Sequence, residues 1–382
     1  MLNAVLRNGA RYYVDHAHPE ISTPECSNPL DAVLYDCAAE EIIRRSANAL
    51  AKRMTSPVST YLYKNNSDGK GNSYGCHENY LVQRSTHFDA IVAGILPHFV
   101  TRQIFCGSGK VGVENQGYRR GLFPQNPFQF QISQRADYFE AEVGLETTLR
   151  RPLVNTRDEP HCDAKKYRRL HVICGDANMS QVATFLKLAS TAVILAMIED
   201  GMLDDRMSLA EPVKAVQDIS SDPTLNVTVE LKSGDWVTAL DVQEWLCGEG
   251  LAFLQRSPDC IGESSAVLLT KYWPEILSGL RNRSPLVLGT VDWAAKERMI
   301  LAFAARHDIN SLDPRLQMID LQYHDMRRDK CLALRAGLQE IVRADDIAAA
   351  IDMPPGDTRA FFRGTCIARW PDSVVAANWD SV

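Results

Sequence analysis

Apolar residues recur at helical spacing in several stretches of the chain. One stretch runs from about residue 29 to 52, with Ser27 or Asn28 as a candidate N-cap, and a second from about 180 to 201. Residues 88–106 show the same period. The spacing predicts a helix in each of these stretches.

Alternating apolar and polar residues predict strands elsewhere. RYYVDHA at residues 11–17 and LNVTVEL at 225–231 are typical of short strands. Residues 59–84 hold two β-rich runs around a loop of Gly, Asn and Ser, which predicts a hairpin with a long connection. AANWDSV, at residues 376–382, alternates in the same way and predicts the beginning of a strand.

The composition is that of an ordinary globular chain. Hydrophobic residues make up 45% and charged residues 23% of its 382 positions, enough to bury a sizeable core in one large domain or a few smaller ones. The formal net charge of -7 argues against broad nucleic-acid binding, because such binding needs surplus cations to displace the counterions of phosphates. We therefore expect no nucleic-acid partner.

The sequence gives no indication of export or of a membrane. The nearest apolar run, around residues 191–198, is shorter than the about 18 residues of a span and is flanked by Lys187 and Glu199. The start, MLNAVLRNGARYY, lacks the charged and then apolar plan of a signal peptide. The ten cysteines include no CxxC pair and are expected to be reduced core residues. These features favour the cytoplasm.

The first predicted strand carries the most suggestive chemistry. Alternation puts Tyr13, Asp15 and Ala17 on one face, and Pro19 then turns the chain so that Glu20 could come close. Two neighbouring carboxylates suit a divalent cation such as magnesium, or an acid, base or nucleophile pair. A solvated strand end with satisfied histidines is the alternative, and these residues alone leave the choice open.

Two further motifs are ambiguous by themselves. SYGCHENY places His77, Glu78 and Asn79 before an apolar run, which fits either a site or a polar loop that enters a strand. GSGK at residues 107–110 lacks the complete phosphate-loop pattern, because Val111 stands where a hydroxyl residue is needed. We interpret GSGK as a turn.

A third motif, NTRDEPHCDAKKYRRLH, concentrates cationic and imidazole side chains. It supplies Arg157, His161, Arg168, Arg169 and His171. Guanidinium groups bind phosphates and carboxylates through paired hydrogen bonds, so this segment could recognise an anionic ligand. The alternative is a solvated charged loop.

Six motifs in one order give the sequence a specific resemblance that covers nearly the whole chain. They are NGARYYVDHAHPE, LYKNNSDGKGNSYGCHENY, ISQRADYFEAEVGLETT, NTRDEPHCDAKKYRRLHVICGDANMS, LQYHDMRRDK and PPGDTRAFFRG. Together they resemble the enzymes that act on Pup, the prokaryotic ubiquitin-like protein. The resemblance implies an α+β fold, with a glutamine synthetase-like concave antiparallel sheet packed on helices and a small C-terminal domain. It places a catalytic domain at residues 1–315 and the small domain at 316–382.

The family has two branches, a Pup ligase and a Pup deamidase that is also a depupylase. The compact spacing of DHAHPE, one residue shorter than in the ligase, is similar to the deamidase, as are QRADYFEAEVGLETT and NSDGKGNSYG. The resemblance thus implies a hydrolase that deamidates the C-terminal glutamine of Pup and cleaves bonds between Pup and lysines. Pup and pupylated proteins would be its partners, with a functional link to the bacterial proteasome and no membrane.

The resemblance also assigns roles to individual residues. Asp15 matches the catalytic carboxylate, which acts as a nucleophile or as a base for water, and Tyr13 and Glu20 match magnesium-contacting positions. The expected cofactors are ATP, or ADP with phosphate, and Mg²⁺. Hydrolysis of an amide does not need the energy of ATP, so the nucleotide is expected to complete the electrostatic site.

Further positions match nucleotide-contacting or supporting residues of the family. Arg11, Thr23 and Trp379 match the nucleotide contacts. The shared motifs add supporting residues, which are His77, Arg157, His161 and Arg169.

The pattern departs from the family at both ends. The family begins with a strand that carries a Glu-x-Glu-Tyr-Gly-like motif, and it continues beyond NWDSV at the C-terminal end. We therefore expect a member that lacks its first strand and the end of its C-terminal domain. Loss of a strand and of an anionic ligand predicts weak or no activity for this polypeptide.

Three alternatives remain at this stage. The nearest is the Pup ligase, which would form the bond that the deamidase cleaves. A second is a non-catalytic Pup-binding remnant that keeps the groove without the metal site. A small-molecule glutamate ligase of the same superfamily is a weaker third.

Overall fold

The computed structural model describes residues 3–15, 18–53, 60–114, 129–310 and 313–382. Its strands are β1 (Asn3–Val5), β2 (Arg11–Asp15), β3 (His18–Ser22), β4 (Glu78–Gln83), β5 (Lys110–Val111), β6 (Phe130–Gln131), β7 (Phe139–Gly144), β8 (Arg151–Asn155), β9 (Tyr167–Val172), β10 (Thr228–Glu230) and β11 (Trp236–Thr238). Its α-helices are α1 (Pro29–Arg53), α2 (Phe88–Thr101), α3 (Gln103–Cys106), α4 (Gln181–Glu199), α5 (Pro212–Ser220), α6 (Ala239–Leu254), α7 (Glu263–Arg281), α8 (Asp292–His307), α9 (Pro314–Tyr323), α10 (Leu332–Arg335), α11 (Ala344–Ala350) and α12 (Ala360–Arg369).

The chain forms two compact units, which we call unit 1 and unit 2. Unit 1 combines residues 1–62 with 340–382, and unit 2 consists of residues 63–339. The predicted division into residues 1–315 and 316–382 does not coincide with these units. Its assignment of catalytic and C-terminal domains therefore stays a prediction.

Unit 1 contains a small antiparallel sheet of strands β1, β2 and β3, in that order. Helix α1 begins as predicted, because the Asn28 side chain accepts a hydrogen bond from the backbone N–H of Asp31 at 2.9 Å and donates to the Asp31 carboxylate at 2.8 Å. Its buried Tyr35 and Ala38 pack against the end of α11. On the sheet, the Tyr12 hydroxyl donates to Ser46 of α1 at 3.3 Å.

Unit 2 is organised around the apolar helix α4. Ser180 caps it by accepting a hydrogen bond from the N–H of Ala183, and most of its side chains are buried against α2, α6 and α7. Among the described residues, α4 alone is long and apolar enough to cross a membrane, yet 78% of its apolar window is buried within the fold. This corrects the expectation that no apolar stretch reaches the length of a span.

The strands of unit 2 form separate pairs. Strand β4 pairs with β9 in antiparallel register, β7 pairs with β8 in parallel, and β10 pairs with β11. The predicted hairpin at residues 59–84 is therefore wrong, since its second run pairs with a strand far along the chain. The strand expected at 376–382 is absent from this described segment, whereas the one expected at 225–231 is confirmed as β10. The ten cysteines are free thiols.

Candidate active site

Strands β2 and β3 place the predicted catalytic and metal-binding residues on one face of the sheet in unit 1. The antiparallel register pairs Tyr13 with Glu20 and Asp15 with His18. Residues directly opposite in an antiparallel pair share a face, and alternation along β2 puts Arg11 on that face too. The structure thus brings together Arg11, Tyr13, Asp15 and Glu20.

Tyr13 is held as a neutral phenol beside these carboxylates. Burial is the main cause that raises the pKa of Tyr13 to about 12, and the negative charges of Glu20 and Asp15 add to the effect. The Ser22 hydroxyl donates to the phenol oxygen at 3.4 Å. Asp15 is exposed at the end of β2, so its carboxylate is accessible to a substrate and to water.

The carboxylate oxygens on this face are the kind of ligand that a hard divalent cation such as magnesium takes. Magnesium is usually held by one or two protein carboxylates, with waters and substrate phosphates completing its octahedral shell. Across the ranges that the structure covers, no group of three or more His, Cys, Asp and Glu side chains could hold a metal ion alone. A magnesium site on this face, completed by ligands from a nucleotide, therefore stays a prediction.

Trp379, although far away in sequence, lies beside Arg11. The guanidinium carbon of Arg11 is 5.1 Å from the centroid of the Trp379 ring, and Arg11 Nη2 donates to the carbonyl of Ala377 at 2.6 Å. Thr23 is half-buried, directly after β3. Two of the predicted nucleotide contacts, Arg11 and Trp379, are therefore brought together in unit 1.

Ion pairs that no sequence pattern predicted lie beside these residues in unit 1. Glu25 accepts hydrogen bonds from Arg363 and from Arg359 Nε, the latter at 2.6 Å. Burial alone would raise the pKa of Glu25, but the Arg363 and Arg359 hydrogen bonds and the Arg363 charge lower it, so the carboxylate is ionised. Both arginines lie in PPGDTRAFFRG, a motif that carried the resemblance without any assigned role.

A second group of predicted residues lies in unit 2, around the start of β4. The imidazoles of His77 and His171 meet edge to face, with ring centroids 4.9 Å apart. The Asn79 side-chain oxygen accepts a hydrogen bond from Arg169 at 2.7 Å and lies 2.9 Å from His171 Nδ1. Glu159 forms an ion pair with Arg169, whose Nη2 lies 3.0 Å from Glu159 Oε2. The Arg169 guanidinium is thus fixed beside two imidazoles.

Positive charges around the two rings oppose their protonation. Burial lowers the pKa of His171 to about 4, and the guanidiniums of Arg169 and Arg157 contribute. Desolvation, followed by the charges of His171 and Arg135, also lowers the pKa of His77. Both imidazoles are therefore neutral at pH 7, and each offers one donor and one acceptor.

The loop between β8 and β9 carries the remaining predicted residues. The backbone N–H of Arg157 donates to the Asn155 side chain at 2.9 Å, and the Arg157 charge acts on both imidazoles. His161 lies further along this loop with a φ of 52°, in the left-handed region. The structure thus brings Arg157 and Arg169 together with the two rings, whereas His161 is placed only in the same loop.

Two buried arginines that the sequence analysis did not single out support this group. Arg135 donates to the Ser73 hydroxyl at 2.8 Å and to the carbonyls of Tyr74 and Ile173 at 2.7 and 2.8 Å. Arg102 makes a bidentate ion pair, at 2.7 and 2.9 Å, with Glu78. Glu78 directly follows His77 in the sequence. The motifs ISQRADYFE and SYGCHENY contain Arg135 and Glu78, but their partners are distant in sequence.

The comparisons with known proteins agree on one family. The family described as Pup-ligase protein matches residues 1–382. The chain is 46% identical over 387 residues to the depupylase of Acidothermus cellulolyticus, covering 100% of this chain and 75% of the relative. It is also 46% identical over 385 residues to the Pup deamidase/depupylase of Mycolicibacterium smegmatis, with the same shares covered.

Two solved structures have the same fold. One is the Pup ligase PafA in complex with ADP, with a TM-score of 0.88 and 36% identity over 99% of this chain and 82% of that one. The other is the complex between Pup and its ligase PafA, with a TM-score of 0.88 and 34% identity over 99% and 77% of the two chains. These similarities confirm the α+β fold that the resemblance implied.

Proposed function

We propose that this chain, which belongs to the Pup-ligase protein family, is an amidohydrolase and isopeptidase that acts on Pup. It deamidates the C-terminal glutamine of Pup to glutamate and cleaves the isopeptide bond between Pup and substrate lysines. Its greater identity to a depupylase, 46%, than to the Pup ligase of known structure, 36%, supports hydrolysis. Its partners are Pup and pupylated proteins, with a link to the bacterial proteasome, and it works in the cytoplasm.

One observation carries this proposal. The register of β2 and β3 places the exposed Asp15 on the same face as Tyr13 and Glu20. Asp15 attacks the glutamyl amide carbon or removes a proton from the water that does so. Water adds to the carbonyl carbon, the carbon–nitrogen bond breaks, and ammonia or the lysine amine leaves with a proton. The products are a glutamate carboxylate and the free amine.

The cofactors proposed for this site are ATP, or ADP with phosphate, and Mg²⁺. Tyr13 and Glu20 would hold the metal, and Arg11, Thr23 and Trp379 would contact the nucleotide. When bound, the metal would supply positive charge that stabilises the oxyanion of the attacked amide, and the nucleotide phosphates would help to hold the metal. The PafA structure with ADP, 36% identical to this chain, supports a nucleotide site.

We assign supporting roles to His77, Arg157, His161 and Arg169. Neutral imidazoles can donate or accept a hydrogen bond without the desolvation cost of a charge, and guanidiniums suit phosphate or carboxylate oxygens. The fixed pair of His77 and His171, with Arg169 held by Asn79, supports a role in binding an anionic group.

The test is a mass measurement on Pup. The chain is incubated with Pup that ends in glutamine, ATP and MgCl₂, and deamidation adds about one dalton to Pup because an amide nitrogen is exchanged for oxygen. Asp15→Asn, which keeps the size of the side chain but removes the charge, should lower the rate by about 100-fold or more. Equal, measurable rates for the two proteins would contradict the proposal.

The Pup ligase is the second candidate, favoured by the TM-score of 0.88 to PafA. A ligase would join Pup that ends in glutamate to a lysine-containing protein, so the same mass measurement would show an adduct. A non-catalytic Pup-binding protein would alter neither form of Pup. Such a protein need not bind nucleotide, so a magnesium-dependent nucleotide titration separates it from both enzymes.

A further inference from the structure

Arg363 is a buried charged residue of unit 1 whose side-chain donors are all hydrogen-bonded. Its side chain lies on α12 and the residue is 1% exposed. Its guanidinium donates to the Gly9 carbonyl from Nε at 3.1 Å and from Nη2 at 2.8 Å, to the Trp379 carbonyl at 2.8 Å, and twice to the Glu25 carboxylate. These five bonds match the five N–H donors of the guanidinium.

The helix that carries Arg363 packs directly on the turn that leads into β2. A Cβ added at Gly364 would lie 2.3 Å from the carbonyl oxygen of Arg7, so no larger residue fits there. Gly9 has a φ of 82°, and a Cβ added there would lie 3.0 Å from the backbone oxygen of Ala360. The start of β2, and hence Arg11, is thereby fixed relative to α12.

Arg363 also holds Trp379 through both its backbone and its ring. The guanidinium carbon of Arg363 lies 4.9 Å from the Trp379 ring centroid, and that of Arg11 lies 5.1 Å from the same centroid. Two guanidiniums at one indole would repel each other, but the Glu25 carboxylate neutralises Arg363. Arg11 Nε is buried without a partner, so this side chain still has a donor to offer.

We propose that Arg363, neutralised by Glu25, is a positioning residue that fixes the Trp379 indole against Arg11 and so sets the affinity for nucleotide. This inference rests on the proposed function, in which Trp379 and Arg11 contact the nucleotide. A lysine cannot replace Arg363, because an ammonium lacks the planar fork that reaches Gly9, Glu25 and Trp379 together.

The neighbouring Arg359 supplies a matched control. It donates to the same Glu25 carboxylate at 2.6 Å, but its side chain is 36% exposed, against 2% for Arg363. Arg359→Met therefore removes one ion pair with Glu25 and leaves the bonds from Arg363 to Trp379 in place. A general loss of stability in this region would affect both variants.

The experiment uses the whole 382-residue chain labelled with 5-fluorotryptophan. The ¹⁹F resonance of Trp379 is assigned by Trp379→Phe, and ADP and ATP are titrated with Mg²⁺. In Arg363→Met we expect the Trp379 resonance to shift before any nucleotide is added, and the nucleotide affinity to fall about tenfold. Arg363→Lys should show most of this loss, whereas Arg359→Met should bind like the wild type. If Arg363→Met does not fold, Arg363→Lys and Glu25→Gln carry the test.

The outcomes separate the inference from the function on which it rests. Wild-type affinity in Arg363→Met or Arg363→Lys, or an unmoved Trp379 resonance in Arg363→Met, would overturn the positioning role and leave the proposed function standing. An equal loss of nucleotide affinity in Arg359→Met would show that Arg363 only stabilises this region, and would also overturn the positioning role. A wild-type chain that bound neither ADP nor ATP would overturn the proposed nucleotide site, and this inference with it.

Discussion

His171 shows how strongly its neighbours decide the protonation of a single residue. Burial and the guanidiniums of Arg169 and Arg157 lower the pKa of this imidazole from 6.5 to about 4. In a plot of its ring proton shift against pH, measured by NMR, we expect a midpoint well below 6. A midpoint for His171 near 6.5 would contradict the arrangement.

The same shift makes stability depend on pH. Between about pH 4 and 6.5 the unfolded chain binds a proton at residue 171 that the folded chain does not, so the free energy of unfolding should fall as the pH falls through this window. Above about pH 6.5 the imidazole is neutral in both the folded and the unfolded chain, so it no longer makes the free energy of unfolding depend on pH. In denaturant unfolding at several pH values, His171→Gln should have a shallower slope than the wild type, and parallel slopes would rule the linkage out.

At this scale, the sequence predicts local geometry and misses distant partners. Period-two alternation was sufficient to place Tyr13 and Asp15 on one face, because that pattern depends only on adjacent residues. The pairing of Glu25 with Arg363 joins positions 338 residues apart, and no local pattern encodes such a contact. The motif around Arg363 could indicate importance but not a role.

Among the elements, β4 depends on the buried ion pair at its first residue. The side chains of Glu78 and Arg102 are 3% and 2% exposed, so removal of either partner leaves a buried charge unpaired. Arg102→Met should lower the free energy of unfolding by about 3 to 5 kcal/mol in denaturant melts. Arg281→Met breaks ion pairs with Asp241 and Glu244 that are about half exposed and should cost less than about 1 kcal/mol. Equal losses would refute this ranking.

Two glycines in helices should respond in opposite ways to the same substitution. Gly364→Ala forces a Cβ against the Arg7 carbonyl at 2.3 Å, so we expect a loss of about 1 to 3 kcal/mol in unfolding free energy. Gly248→Ala meets nothing within 4 Å inside α6, and the better helix former should stabilise by about 0.5 to 1 kcal/mol. Thermal melts of the two variants give the signs, and a stabilised Gly364→Ala would show that α12 stands clear of the turn.

Helices were more predictable than strand partners for the same physical reason. Caps and apolar spacing are local: α1 begins after the candidate cap Asn28, and α4 begins close to the predicted start at about residue 180. Strand β4 was correctly identified as β-rich, but its partner β9 lies beyond several other elements. The sequence pattern predicted that β4 pairs with the β-rich run just before it. In the structure β4 pairs with β9 instead, because the folding of the segments between them brings these two strands together.

At the scale of the whole molecule, the candidate site divides between two units. Arg11, Tyr13, Asp15, Glu20 and Trp379 belong to unit 1, whereas the group around His77 and Arg169 belongs to unit 2. Composition and periodicity could not predict this division, because unit 1 is made of two segments that are discontinuous in the sequence. The family resemblance supplied the residues and their roles, and the structure supplied the contacts within each unit.

The discontinuity of unit 1 constrains the order in which the protein can be completed on the ribosome. Residues 1–62 emerge first, but α12 and Trp379, which hold the entry to β2, emerge after the whole of unit 2. Domains generally fold as units during synthesis, so unit 2 can fold before α12 and Trp379 reach the start of β2. A nascent chain therefore gains the contact between Arg11 and Trp379 last, and a premature stop before α12 would leave Arg11 without it.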